Sequence, residues 1–192
     1  MNLKNTTDRY GSLSIGMHWL MLLLLIGVYA CINLREAFPR GSDLREGLKM
    51  WHFMLGLAVF ALVFVRLAIR LSGASPHIQP EPVAWQKRLA GLMHLALYAF
   101  MIAMPLLGWL TLSAAGKPIP FFGLPLPALL GADKALAGSL EDIHETIGTI
   151  GYYLIGLHAA AALFHHYVAR DNTLLRMLPR RKRLARAASV DR

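Results

Sequence analysis

Four of the eight histidines of this chain fall in one apolar stretch, DIHETIGTIGYYLIGLHAAAALFHHYVAR. A titratable side chain inside a bilayer is costly and is tolerated only with a partner. His144 and His158 are 14 residues apart, nearly four helical turns, so both rings point the same way, roughly 21 Å apart along the axis. The same stripe also holds Gly148, Gly151 and His165. Glycine on that stripe leaves room for a broad, planar ligand to approach the backbone.

Histidines on the other apolar segments lie at matching depths. His18 is about two turns into the first segment, and His52 is just inside the start of the second. Because successive segments alternate in direction, His52 is level with His144, and His18 is level with His158. Two members of this set are followed four residues later, one turn deeper, by a glycine: Gly56 and Gly148. The spacing therefore predicts two separate layers, each with a pair of histidines.

Such pairs are what a haem requires, because its iron has two axial positions on opposite faces of a planar macrocycle. A zinc or copper site would need three or four clustered ligands. The simpler alternative is that each buried histidine makes an interhelical hydrogen bond, but two layers with glycine stripes favour haem. Iron that is closed by histidine on both sides passes electrons instead of binding substrate.

Arg66 repeats the same interval on the second segment, 14 residues after His52. It should therefore lie on the His52 face, near the depth of the His18–His158 pair. There the guanidinium could bind a haem propionate. The alternative is that Arg66 extends its charged end to the membrane surface.

Composition places these residues in a membrane. The 192-residue chain is 56% hydrophobic with a mean hydropathy of +0.45, whereas soluble domains are about 45–50% apolar. Four segments are long and apolar enough to span a bilayer. We predict an all-α membrane protein, a four-transmembrane-helix bundle, whose helices cover about 13–34, 48–71, 89–112 and 141–168.

The apolar connection KPIPFFGLPLPALLGADKALAGSL is not expected to be a fifth span. Its four prolines deny it a continuous helix, and unpaired backbone cannot face lipid. We expect it to lie at the interface as a cap over the bundle. Residues 1–180 should form a single domain, followed by a basic cytoplasmic tail at 181–192. The only cysteine, Cys31, lies in an apolar run and is expected to be a small packing residue.

The distribution of basic residues predicts the orientation. Lysine and arginine number 14 in the N-terminus, the 66–88 connection and the C-terminal tail, against 6 in the other two connections. By the positive-inside rule, both termini are cytoplasmic, and the His52–His144 pair is the outer one. The basic tail is typical of the cytoplasmic side of membrane proteins, so no nucleic-acid partner is expected.

Three stretches carry a specific resemblance: SIGMHWL, HETIGTIGYYLIGLHAAAALFHHY and RDNTLLRMLP. They resemble the bacterial cytochrome b561 family, small four-helix membrane cytochromes with two b haems, over essentially the whole chain. The family's pattern of four axial ligands falls on His18, His52, His144 and His158. The resemblance further implies a multi-pass protein of the bacterial inner membrane with quinone as electron partner. For some members it also implies oxidation of superoxide at the outer face.

Three functions remain open at this point. The first is a quinone-linked oxidoreductase that oxidises superoxide at the periplasmic face and reduces ubiquinone. The second is an electron-carrying cytochrome b subunit that links a redox partner protein to the quinone pool, and the third is a haem-free structural or transport protein. The outer connections have no net charge, so superoxide would need a local basic patch, with Lys49 and Arg45 as candidate access residues. That patch forms only if folding separates the acidic side chains from the basic ones.

The remaining histidines lie outside the four-ligand pattern. His94 should reach the depth of the inner pair, as a hydrogen-bond partner of a propionate or quinone or as a structural interhelical contact. His165 could line a quinone pocket or be an interfacial polar residue, and His166 lies beside it. His77, in SPHIQPEP, is expected in a solvated loop.

Overall fold

The computed structural model describes residues 3–7 and 9–179. Four long helices make up most of it: α1 (Ser12–Leu34), α2 (Asp43–Leu71), α3 (Ala84–Ala114) and α4 (Lys134–Phe164). Short elements connect or extend them: a 3₁₀ turn at Arg35–Ala37, strands β1 (Ile119–Phe121) and β2 (Leu124–Leu126), a π-helical turn at His165–Ala169 and a 3₁₀ turn at Leu175–Met177. The predicted basic tail at 181–192 lies outside the described residues.

All four helices are long and apolar enough to cross a membrane. The prediction of an all-α, four-span protein is confirmed. Large apolar side chains such as Leu23 and Leu157 are exposed on the outside of the bundle. In a bilayer such side chains face lipid, so their exposure carries no cost.

Three helices begin several residues earlier than predicted, and in two of them, α2 and α4, a polar side chain caps the observed start. α2 begins at Asp43 rather than 48, with the Ser42 side chain accepting a hydrogen bond from the Arg45 amide. α4 begins at Lys134 rather than 141, because the Asp133 carboxylate accepts from the amides of residues 135 and 136. α3 covers 84–114 instead of 89–112. The last apolar residues of the proline-rich connection therefore belong to α4.

The helices pack as two pairs, α1 on α2 and α3 on α4, joined by contacts of α2 with α3. The buried core lies at the middle of the bundle and consists of Met21, Val59, Val63, Phe100, Met101 and Met104. The two histidine layers lie on either side of this core. It therefore separates them along the bundle axis.

At one end of the bundle, the segment before α1, the α2–α3 connection and the segment after α4 are tied together. Arg9 donates to the Leu178 carbonyl at 3.1 Å, and the Trp19 indole donates to the Met177 carbonyl at 2.8 Å. The Asn172 amide donates to the Gln79 carbonyl at 3.1 Å. The three connections predicted to be cytoplasmic thus share one end, while the side of the membrane they face stays a prediction.

The hairpin of β1 and β2 closes the opposite end. It pairs Ile119 with Leu126 in antiparallel register and turns at Phe122 and Gly123, both with positive φ. Ile119 is 3% exposed and packs against apolar residues of α2 and α3. The proline-rich connection is therefore a capping hairpin, as expected, and not a membrane span.

Candidate haem sites

The outer pair lies just below the hairpin. α2 positions His52 and α4 positions His144 so that their ring centroids are 6.2 Å apart with planes at 76°. A cavity of about 40 Å³ opens between them, lined also by Gly56 and Trp109. A Cβ added at Gly56 would meet nothing within 4 Å. The predicted pairing and the open glycine beside it are both present.

The inner pair lies toward the end that holds both terminal segments. His18 of α1 and His158 of α4 have ring centroids 6.2 Å apart, with planes at 63°. His94 of α3 reaches the same depth, with its ring centroid 5.6 Å from that of His158. The structure therefore brings three predicted histidines together at this level.

Both separations fit an iron between two imidazoles. Two metal–imidazole bonds of about 2 Å each, plus the radius of each ring, place the centroids roughly 6 Å apart. In the described part of the chain, no hydrogen bond joins the rings of either pair. His52 and His18 each make an interhelical hydrogen bond through Nδ1, to Val28 and Arg66, but these bonds do not account for the approach of the paired rings. Residues 3–7 and 9–179 also contain no cluster of three or more candidate ligands for a zinc or copper ion.

In the outer pair, the Nδ1 atoms of the two histidines have different surroundings. In the outer pair, His52 Nδ1 lies 2.9 Å from the Val28 carbonyl and donates to it, which leaves Nε2 free as a ligand. The Nδ1 of His144 is buried and has no hydrogen-bond partner among the described residues. A buried polar atom left unpaired needs an explanation, and a ring turned to present its other nitrogen to iron supplies one.

Arg66 lies at the inner layer, at the depth that its spacing predicts. Its Nη2 is 2.9 Å from Nδ1 of His18, so the guanidinium donates and the ring accepts. In the described part of the chain, no carboxylate forms an ion pair with Arg66. Its positive charge is thus directed at the inner site and not at the membrane surface.

The glycine stripe of α4 meets two aromatic side chains that sequence reasoning missed. A Cβ at Gly151 would lie 2.3 Å from the Tyr29 hydroxyl and 2.4 Å from Phe100. The Tyr29 hydroxyl also donates to the Gly148 carbonyl at 2.7 Å. These rings fill the space at Gly151 in which the sequence predicts room for a macrocycle. Gly151 itself was the available signal, because one reason for a glycine in a helix is a neighbouring side chain that packs against the backbone, although Gly56 and Gly156 show that this is not the only reason.

The outer connection does not separate its charges. The Arg45 guanidinium donates to Glu36 at 3.1 Å and to the carbonyls of Arg35 and Phe38. Lys49 pairs with Glu46 at 3.0 Å. The two predicted superoxide-access residues are therefore each neutralised by a neighbouring acid, so the condition for a basic patch is not met at these two positions.

His165 begins the π-helical turn at the end of α4, where its Nδ1 lies 2.5 Å from Oδ2 of Asp171. Asp171 is 6% exposed. Burial alone would raise the pKa of Asp171, but hydrogen bonds from Thr173 and His165 outweigh it and hold the pKa below its ordinary value. His77 is exposed in the α2–α3 connection, as predicted. His166 packs only against its neighbour Tyr167 among the ring contacts of the described residues.

Comparison with known proteins agrees with this architecture. Residues 9–180 match the prokaryotic cytochrome b561 family. The chain is 42% identical over 175 residues to "Cytochrome b561 homolog 1" of Escherichia coli (strain K12), covering 91% of this chain and 99% of that protein. It is 40% identical over 174 residues to "Probable superoxide oxidase CybB" of Yersinia pestis, covering 91% and 98% respectively. "Cytochrome b561 homolog 2" of Escherichia coli (strain K12) is 30% identical over 179 residues, covering 93% and 95%.

These matches extend across all four spans and both histidine layers. They imply a b-type haem, which removes the haem-free structural or transport alternative, and they imply electron transfer in a bacterial membrane. The chain belongs to the prokaryotic cytochrome b561 family.

Proposed function

We propose that this protein is a di-haem cytochrome b of the bacterial inner membrane, with one haem held by His52 and His144 and a second by His18 and His158. The observation that carries the proposal is the equal separation of 6.2 Å within both pairs, which suits an iron between two imidazoles. A haem with histidine on both sides supplies an iron that takes up and releases one electron without binding substrate.

The other residues would hold and shield the two groups. The Val28 carbonyl fixes the orientation of the His52 ring. Gly56 and Gly148 keep backbone close to the outer site, and Arg66 binds a propionate at the inner one. Tyr29 and Phe100, packed on Gly151, exclude water from the region between the layers.

The reaction proposed is oxidation of superoxide to O₂ at the outer face, coupled to reduction of ubiquinone to ubiquinol. Two superoxide anions give up one electron each, and one ubiquinone takes up both electrons with two protons. Support comes from the name of the relative from Yersinia pestis, which the chain matches at 40% identity. His94 and His165 are the candidate quinone contacts at the inner end. At the outer end, Lys49 and Arg45 are each paired with an acid, so superoxide would have to reach the site without a basic patch at these two residues.

Ligand assignment is tested by counting haems in purified variants. His52→Ala and His144→Ala should each retain one haem per chain by pyridine haemochrome assay, and the remaining haem should be six-coordinate. His77→Ala, an exposed loop histidine, serves as the control and should keep two. If either outer variant retains two six-coordinate haems, the pairing is wrong.

The reaction is tested by stopped-flow absorbance with superoxide and no partner protein. Haem reduction should outpace spontaneous superoxide decay, and added ubiquinone should reoxidise the haems. Neutralising Lys49 and Arg45 together would leave their acidic partners Glu46 and Glu36 unpaired. The added negative charge should slow reduction by superoxide, most strongly at low ionic strength, with quinol-driven reduction intact. Rates no faster than spontaneous decay would instead favour the second function, a subunit that carries electrons from a partner protein to quinone.

A further inference from the structure

The two proposed sites differ in the group that contacts Nδ1 of one histidine ligand. In the outer site, Nδ1 of His52 donates to the Val28 carbonyl at 2.9 Å. In the inner site, the Arg66 guanidinium lies 2.9 Å from Nδ1 of His18. One ring thus faces the negative end of a peptide dipole, and the other faces a full positive charge.

These partners act on a bound metal in opposite directions. A histidine that donates its second N–H to a carbonyl is a more basic ligand, so it stabilises the oxidised, more positive iron. A nearby cation destabilises that state and favours the reduced one, the more so in the low dielectric of a bundle interior. The outer iron should therefore be the weaker electron acceptor and the inner iron the stronger.

The effect of Arg66 does not depend on its hydrogen bond to His18. When Nε2 of a neutral histidine binds a metal, Nδ1 carries the ring proton and can no longer accept. The guanidinium must then find another acceptor, such as a propionate, but its charge stays at the inner layer. Arg70 lies one turn further along α2 and adds a second positive charge on that side of the bundle.

We propose that the Val28 carbonyl and Arg66 together set the direction of electron flow, from the outer site to the inner one, by making the inner reduction potential the higher of the two. With haems held by His52 and His144 and by His18 and His158, one electron would pass from the outer haem, which would be oxidised, to the inner haem, which would be reduced. This inference rests on the ligand assignment proposed above. It adds an ordering of the two potentials and names Arg66 as the positioning residue that produces it.

The test is an anaerobic spectroelectrochemical titration of the purified di-haem protein. The His144→Ala variant, which should keep only the inner haem, identifies which wave belongs to which site. In the unmodified protein the inner haem should have the higher potential. Arg66→Gln should lower the inner potential and leave the outer one unchanged, while Arg66→Lys, which keeps the charge, should fall by less. Arg88→Gln removes an exposed positive charge from the same end of the bundle and should change neither potential.

The results that would overturn the inference differ from the result that would refute the proposed function. A higher potential at the outer haem, an unchanged inner potential in Arg66→Gln, or an equal drop in Arg66→Lys and Arg66→Gln would overturn the inference. If Arg66→Gln fails to fold, the order of the two waves in the unmodified protein and the Arg66→Lys shift still decide it. A haem count other than two would instead refute the proposed function.

Discussion

Replacing Gly151 with alanine should destabilise the centre of the bundle. The new methyl group would lie 2.3 Å from the Tyr29 hydroxyl oxygen and 2.4 Å from a ring carbon of Phe100, closer than non-bonded heavy atoms can approach. The Tyr29 ring is in turn confined by Tyr152, with ring centroids 4.2 Å apart. Tyr29 can move only by giving up its hydrogen bond to the Gly148 carbonyl.

These contacts determine the expected loss in the free energy of unfolding. Overpacking of a well-filled core costs about 1–3 kcal/mol, and loss of the Tyr29 hydrogen bond costs about 1 kcal/mol. Alanine is favoured over glycine in a helix by at most about 1 kcal/mol. We expect a net loss of about 1–3 kcal/mol in the free energy of unfolding, which lowers the melting temperature by about 2–4 °C for each kcal/mol in a chain of this length.

The assay is thermal unfolding of detergent-purified protein, with haem content measured alongside. Gly156→Ala is the matched control, because Gly156 is on the same helix and its added Cβ would meet nothing within 4 Å. Both variants carry the same change in helix propensity, so their difference reports the steric effect. Equal melting temperatures for the two variants would show that Tyr29 and Phe100 are not packed on Gly151 as described.

Two further predictions concern the inner end. The pKa of Asp171 is held below its ordinary value by hydrogen bonds from Thr173 and His165, so its stabilising effect is full above the unfolded-state pKa of about 4 and is lost as the pH falls through the folded value. Acid should therefore lower the protection of amides in the segment after α4, measured relative to their intrinsic exchange rates at each pH, whereas Asp171→Asn should already show low protection at neutral pH. His94→Phe should keep two haems by pyridine haemochrome assay, because His18 already completes the pair with His158; loss of one haem would make His94 the ligand.

The histidine pairs could be predicted from sequence because helix geometry converts spacing into position. A separation of 14 residues fixes both the direction and the depth of His158 relative to His144, and alternating helix directions place His18 and His52 against them. The packing of Phe100 and Tyr29 on Gly151 could not be predicted in this way. It depends on how each helix is rotated about its axis, and apolar residues on every face of a membrane helix leave that rotation unmarked.

The ion pairs of the outer connection could not be predicted from the sequence either. Counting residues predicts that the outer connections are neutral overall, but not that Arg45 meets Glu36 while Lys49 meets Glu46. Those contacts depend on the turn between α1 and α2 and on the early start of α2. Ser42, the cap that produces this early start, lies outside the apolar segment, and serine is also common in turns, so its presence alone does not predict where α2 begins.

The shared use of α4 has a consequence for how the protein is made. Both histidine pairs take one member from this helix, which is the last of the four to leave the ribosome. His18 and His52 enter the membrane earlier and must wait there without their partners. The Met177 carbonyl, which holds Trp19, emerges later still. We therefore expect that haem is inserted only after synthesis is complete, and that cells starved of haem accumulate full-length, membrane-inserted apoprotein rather than half-loaded nascent chains.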